Sequence, residues 1–453
     1  MKPNSLRAGA SLTDITPEIG TDLAGYMTHR PATWVLDPLH ARAVVIEGGG
    51  PPESGGTRLV FVLLDLIALT EQDVDPLREE IGELVGVAPD HICICCTHTH
   101  TAPVTKDGFE LLRDAAYLAW AKPRIVAAVA QALERLEPAR VAWGNGHEPR
   151  PQYNRRFHMR DGSVKMNPGA GNPHTIRPAG PTDPDVPMLL IESLAGQPIA
   201  VIANYSLHYI GDFDKNAISA DYFGHFANIM RQRKGDNFVA LLTHGASGDI
   251  NNINAMKLPT PWYPAEMKPT EKSQIIAGMI ADQVDGVWQG AQWHDRVIVA
   301  ATENAHMTGV RKITEDALQQ AEREWADESL PMPERLRARE WLELSNWPDE
   351  IPKVVQSLRV GGWAASTMVG EMFCQFGLDL KHASPFATTA FIELANGYGG
   401  YIANRFNYVL GGYEVGHSRS KFAAIGTGEE MVALAAAQLR ALWKLNEENS
   451  PAA

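Results

Sequence analysis

The sequence predicts an α/β fold: a single large domain with a mixed, largely buried β-sheet flanked by helices. Two observations predict it. Between residues 58 and 287, short apolar runs alternate with amphipathic helical periods, the pattern of strands packed beneath helices. Within that stretch, the runs 187–194 and 199–208 follow each other closely enough to pair as a hairpin. A hairpin is antiparallel, so the sheet is expected to be mixed.

The elements read as follows along the chain. Arg58-Leu59-Val60-Phe61-Val62-Leu63-Leu64-Asp65 is a buried strand, and 71–85 is an amphipathic helix. Residues 91–96 are the next strand, 109–136 a helical stretch and 140–144 another strand. After the hairpin come a helix over 222–233, a strand over 237–242, a helix over 271–287 and a terminal helix over 428–446. Two segments stand apart. Residues 145–186 are rich in Pro, Gly, Asn and Arg and read as a long loop on the side of a site. Residues 313–350 are charged and helical, with Trp325, Trp341 and Trp347 interspersed. They read as a surface helical pair packing its tryptophans on the core, or as a lid or subunit contact.

Composition narrows the function class. The chain has 453 residues, 45% hydrophobic and 21% charged, ordinary values for a soluble globular protein. Its net charge of −14 argues against nucleic acid and against an anionic membrane surface as partners. No apolar run is long enough to span a bilayer, and the stretch Met1 to Arg7 lacks the apolar core of an export signal. Three of the four cysteines, Cys93, Cys95 and Cys96, lie within four residues, which is no disulfide framework. A cytoplasmic protein acting on a small molecule is expected, and a homo-oligomer is compatible with the sequence.

Several clusters could carry chemistry. His98-Thr99-His100 follows a strand. In extended backbone, residues i and i+2 share a face, so both imidazoles are expected on one side. One could bind a metal while the other moves protons, or both could be structural. Cys96 would share that face, as a thiolate ligand or as a small buried hydrophobe. His208 ends another strand, and Asp221 stands where a helix N-cap belongs. Thr243-His244-Gly245-Ala246-Ser247-Gly248-Asp249-Ile250-Asn251-Asn252 is a strand opening into a Gly-rich polar loop. Gly370-Glu371 opens an apparent helix, where the dipole alone would favour a carboxylate. Asn396-Gly397-Tyr398-Gly399-Gly400-Tyr401 is a turn with two tyrosines.

Taken in order, these clusters resemble the neutral/alkaline (non-lysosomal) ceramidase family. The opening Ala10-Ser11-Leu12-Thr13-Asp14-Ile15-Thr16-Pro17, with Gly25-Tyr26, resembles that family's N-terminal signature, and Phe61-Val62-Leu63-Leu64-Asp65 its first core strand. The resemblance runs from about residue 8 to 445. It implies one zinc ion held by His98, His208, Glu371 and Tyr401. It further implies His100 as a proton carrier, Asp249 as the group orienting that machinery, and Arg155 as a clamp for a substrate oxygen or carboxylate. The activity implied is cleavage of a non-peptide amide.

This chain departs from the family at two places. Asn251 stands where the family loop has Ser, and an amide is no nucleophile, so water activated by the metal is expected with Asn251 as a hydrogen-bond donor. Ser219-Ala220-Asp221-Tyr222-Phe223-Gly224 replaces the family's Ser-Gly-Asp-Asn-Lys-Gly. The family is typically exported and carries a C-terminal β-sandwich. The reading here is of the catalytic domain alone, over 1–453, which points to a soluble substrate in place of a bilayer lipid. The alternatives are ester cleavage, lyase or sugar chemistry on the same metal, or a metal-binding homologue without activity.

Overall fold

The computed structural model describes residues 5–48 and 57–445; Met1 to Asn4 of the leader stretch, and Asn446 at the end of the expected terminal helix, lie outside them. Eight strands form the larger sheet: β1 (Arg7–Asp14), β2 (His40–Gly48), β3 (Thr57–Leu64), β4 (Ile92–Cys96), β5 (Glu137–His147), β6 (Asp185–Ser193), β7 (Pro198–Tyr205) and β8 (Val239–His244). Their order is β8-β7-β6-β5-β1-β2-β3-β4. The outermost pairs, β3 with β4 and β7 with β8, are parallel, and the pairings between them are antiparallel. The fold is therefore mixed α/β, as the hairpin required.

Alternation on the strands explains the layers. In β3, Val60, Val62 and Leu64 face a core shared with α1 (Glu71–Val85) and α2 (Ala115–Glu134), while Leu59, Phe61 and Leu63 face the opposite way. At the other end of the sheet, α3 (Asp221–Lys234) and α4 (Glu271–Gln289) cover Val201, Ala203, Ala240 and Leu242. The inner face packs on a second sheet of β9 (Val299–Gly309), β10 (Glu350–Val360), β11 (Trp363–Thr367) and β12 (Thr388–Ile392), in that order. Trp363 and Ala365 point into this shared core. Ala364 points out, to α7 (Cys374–Ala383) and the last helix, Thr427–Lys444. Burying each large apolar side chain is worth about 1.5–3 kcal/mol, so the core between the sheets and those beneath the helices all contribute to the fold's stability.

Four expectations change on contact with the structure. Residues 145–186 are not one loop. β5 continues to His147, and Arg156–Met159, Val164–Met166 and Thr175–Pro178 form a small sheet whose strands are too short for a hydrophobic period to show. The helix expected over 109–136 starts only at Ala115. Asp114 caps it, accepting from Tyr117 N–H at 2.9 Å, and residues 108–111 form a turn. Glu371 opens no helix: Glu371–Met372 pairs in parallel with Tyr401–Ile402, and α7 begins at Cys374, so the dipole has no part in placing this carboxylate. Asp221 is the first helical residue rather than the cap, and its carboxylate receives the N–H groups of Ile210, Gly211 and Tyr222.

Residues 313–350 are a helical pair, α5 (Glu315–Ala326) and α6 (Met332–Ser345). Trp347 packs against Phe422, and Trp341 donates to the His417 carbonyl at 3.0 Å. Trp325 stays on the pair itself, beneath Arg335 and Arg339. All four cysteines are buried and free. Among the described residues no helix is long and apolar enough to cross a membrane.

Candidate metal centre

The site lies past the carboxyl ends of the strands that pair in parallel, where α/β sheets place ligands. β4 delivers His98, β7 delivers His208, β8 ends in His244, and β11 and β12 lead into Glu371 and Glu393. His98 and His100 do meet, with Nε2 atoms 3.2 Å apart, but not through strand alternation. The strand stops at Cys96, and His98 itself is left-handed at φ 62°. That turn, rather than the pleat, brings the imidazoles together.

Each imidazole is aimed by a carbonyl. His98 Nδ1–H donates to Ile67 O at 2.8 Å and His208 Nδ1–H to Ser247 O at 2.7 Å. Both Nε2 atoms are thereby turned toward Glu371 Oε2, at 3.3 and 3.4 Å. One ligand atom from each of His98, His208 and Glu371 lies within 4.8 Å of the others, and all three residues are buried. His208 Nε2 and Glu371 Oε2 have no hydrogen-bond partner among the described residues. Buried polar atoms left this way are costly, and a cation between them removes the cost. Burial, with Arg155 adding to it, drives His208 down to about 3, so its Nε2 lone pair is available at neutral pH. Two nitrogens and a carboxylate with a further hydroxyl nearby form a donor set that suits zinc.

Tyr401 and Tyr398 complete the inner wall. Tyr398 Oη donates to Glu371 Oε1 at 3.1 Å. Tyr401 also lies against Glu371, and burial together with that carboxylate raises its hydroxyl well above the ordinary tyrosine range. His100 stacks on Tyr209 at 3.8 Å and 19°, and burial keeps it neutral. Gly25, with φ +92°, passes so close that a Cβ would lie 2.5 Å from the His100 ring, a physical reason for glycine in the N-terminal signature. Gly248 has a similar role, because a Cβ there would run into the Glu371 carbonyl.

The other expected residues stand further out. Arg155 Nε donates to Glu414 Oε1 at 2.9 Å, and its guanidinium lies over the Tyr401 ring at 5.4 Å. Asp249 accepts from Cys374 N–H at 2.8 Å and from Asn154 Nδ2 at 2.7 Å, and does not contact His100. Asn251 pairs in a short bridge with Tyr153, and its Nδ2 donates to Asn167 at 2.7 Å, away from the imidazoles. Cys96 belongs to the apolar core beneath the helices, and burial raises its thiol far above the ordinary range, so it is the small hydrophobe.

Sequence reasoning missed Glu393, which joins His244 and Ser247 of the Gly-rich loop in a buried cluster behind the expected ligands. His244 Nδ1 lies 2.7 Å from Glu393 Oε1, and Ser247 Oγ donates to the same oxygen at 2.8 Å. Glu393 Oε2 receives Met372 N–H at 2.7 Å, next to Glu371. Burial raises Glu393 well above the usual carboxylate range and lowers His244 to about 3, leaving the pair neutral. An acidic residue directly after the apolar strand Thr388–Ile392 was the available signal.

No protein-family model and no curated protein matches the sequence. Solved structures do match in three dimensions. The crystal structure of neutral ceramidase from Pseudomonas aeruginosa superposes with a TM-score of 0.71 at 18% identity, over 99% of this chain and 75% of that one. A ceramidase complexed with C2 superposes with a TM-score of 0.71 at 17% identity, over 97% of this chain and 75% of that one. The chain has a neutral-ceramidase-like fold.

Proposed function

We propose that the protein is a zinc-dependent hydrolase that cleaves a non-peptide amide bond in a soluble small substrate. One observation carries the reading: two buried imidazoles, each aimed by a backbone carbonyl, converge with Glu371 on a common point and leave buried donor atoms without partners. The fold likeness to ceramidases supports an amide as the bond class.

In this reading His98, His208 and Glu371 hold the ion, with Tyr401 as a fourth ligand. When bound, zinc activates water and polarises a carbonyl oxygen. His100, neutral and stacked on Tyr209, accepts a proton and returns it to the leaving amine. Arg155 faces a substrate oxygen with the guanidinium nitrogen that Glu414 leaves without a partner. Asp249 and Asn251 act by position: they hold the segment Tyr153–Asn154, and with it Arg155, against the start of α7. We read residues 1–453 as one catalytic domain and the protein as cytoplasmic, in keeping with four free buried cysteines.

Metal analysis of the purified protein, with hydrolysis of a panel of N-acyl, ester and glycoside substrates, tests this. The wild type is expected to hold zinc and to cleave amides, and His98→Ala to lose both. A metal-free wild type, or turnover that survives His98→Ala, overturns the proposal.

A further inference from the structure

The pocket in front of the centre has an unusual charge pattern. Its lining includes His98, His100, Glu371, Tyr398, Tyr413 and Lys106. The Lys106 ammonium sits 4.4 Å above the Tyr398 ring and has no carboxylate or hydrogen-bond partner among the described residues. The neighbouring anions are already engaged. Glu371 faces the imidazoles and Tyr398. Glu340 is paired with Arg419, and Asp107 accepts from Arg113 N–H at 2.8 Å. Of the arginines near the site, Arg156 is engaged by Glu414 and Arg30 by backbone carbonyls, while Arg155, bound to Glu414 through Nε alone, lies over Tyr401 and is not among the residues lining this pocket. A ring face compensates an ammonium only partly for lost water, so a partly buried lysine in this position is short of an anion.

Resting on the amidase reading above, we infer that the substrate is an N-acyl amino acid, whose carboxylate is read by Lys106. Spacing and lining both support this. Lys106 is separated from Glu371 by the single ring of Tyr398, whose hydroxyl touches that carboxylate. An anion on Lys106 is therefore only a few bonds from a scissile amide at the centre. Met27, Val104, Phe109 and Leu111 line the same pocket and offer an apolar surface for the acyl chain. Hydrolysis breaks the amide C–N bond; water supplies a hydroxyl to the acyl carbon and a proton to the amine, releasing a fatty acid and an amino acid. A neutral amide would leave the Lys106 ammonium without its partner.

The test separates binding from turnover. Octanesulfonylglycine and octanesulfonylglycinamide are uncleavable isosteres differing only in the charge, and their binding to the zinc-loaded protein is measured by calorimetry. The acid is expected to bind about tenfold or more tightly than the amide, as a charge-assisted hydrogen bond provides. That preference is expected to vanish in Lys106→Met and to return in part in Lys106→Arg. Equal binding of acid and amide to the wild type, or equal weakening of both in Lys106→Met, overturns the inference. Tighter binding of octanesulfonylaminoethyl phosphate than of the acid also overturns it, by moving the anion to a phosphate ester. Hydrolysis of N-octanoylglycine is followed separately. If the acid is preferred but no amide is cleaved, the amidase reading fails and anion recognition stands.

Discussion

The inner and outer ends of the pocket are built on different principles. The inner end is made of strand termini: His98, His208, His244, Glu371 and Glu393 each lie within a few residues of a strand that pairs in parallel. Their side chains are almost fully buried, and those of His98, His208 and Glu393 are tied to backbone carbonyls or N–H groups. The outer wall is made of loops, around Phe109 and Ser420, and is held from outside by α6. Glu340 on that helix accepts the N–H groups of Phe109 and Arg419 and pairs with the Arg419 guanidinium. The inner end thus has many short constraints, whereas the two wall loops are joined to each other through one carboxylate reaching in from a distant helix. In the proposed reading, rigidity falls where the metal would need geometry, and a long-range tether falls where the substrate would enter.

Removing that tether is the strongest challenge to the contrast. Glu340→Ala leaves Arg419 largely buried without its partner and is expected to lower stability by about 3 kcal/mol, with substrate affinity falling and zinc content unchanged. Denaturant titration with metal analysis checks this; loss of zinc would mean that the two ends are not independent. The same carboxylate makes the tether pH-dependent. Burial opposes its ionisation, but the Arg419 guanidinium and the two N–H groups outweigh burial and hold it below its ordinary 4.5. A depressed carboxylate stabilises the fold above that value, and the contribution is lost as pH falls through the folded-state pKa. The stability gap between wild type and Glu340→Ala is therefore expected to shrink below about pH 4.5.

A smaller effect is expected behind the ligands. Ser247→Ala removes the hydroxyl shared by Glu393 and His244 and is expected to weaken zinc binding about tenfold, the lower end for partners that support ligands. Competition with a chelator measures it. If turnover disappears while zinc stays bound as tightly as before, Ser247 takes part in the chemistry and the inner end is more than a support. The smallest effect is expected within the helical pair. Trp325→Ala loses ring contacts to Arg335 and Arg339 and is expected to cost about 1 kcal/mol or less, with no change in substrate affinity. A change in affinity would show that the whole pair, rather than Glu340 alone, shapes the wall.

The same division decides what could be read from the sequence. The α/β class, the mixed sheet and the long helices were legible because each follows from local periodicity. The helix over Glu71–Val85 begins and ends where its apolar period does. The grouping of His98, His208 and Glu371 was legible only through the family resemblance, which rests on the order of motifs far apart in the chain. Residue contacts across long separations were not. Phe109 and Glu340 are 231 residues apart, and Arg78 reaches Glu303 across 225. Lys106 was invisible for a related reason. Its meaning depends on which neighbouring carboxylates are already engaged, which no local pattern records. The short strands of residues 156–178 were hidden because three or four residues are too few to display a period of two.

The left-handed turn at His98 carries one more consequence. A residue with a side chain held in that conformation costs about 1–3 kcal/mol, which glycine would not. Glycine would relieve that backbone strain, whereas the proposed ligation requires imidazole. In that reading, backbone relaxation and metal capture compete for a single amino acid, and the strain at residue 98 is held in place by what the imidazole is needed for.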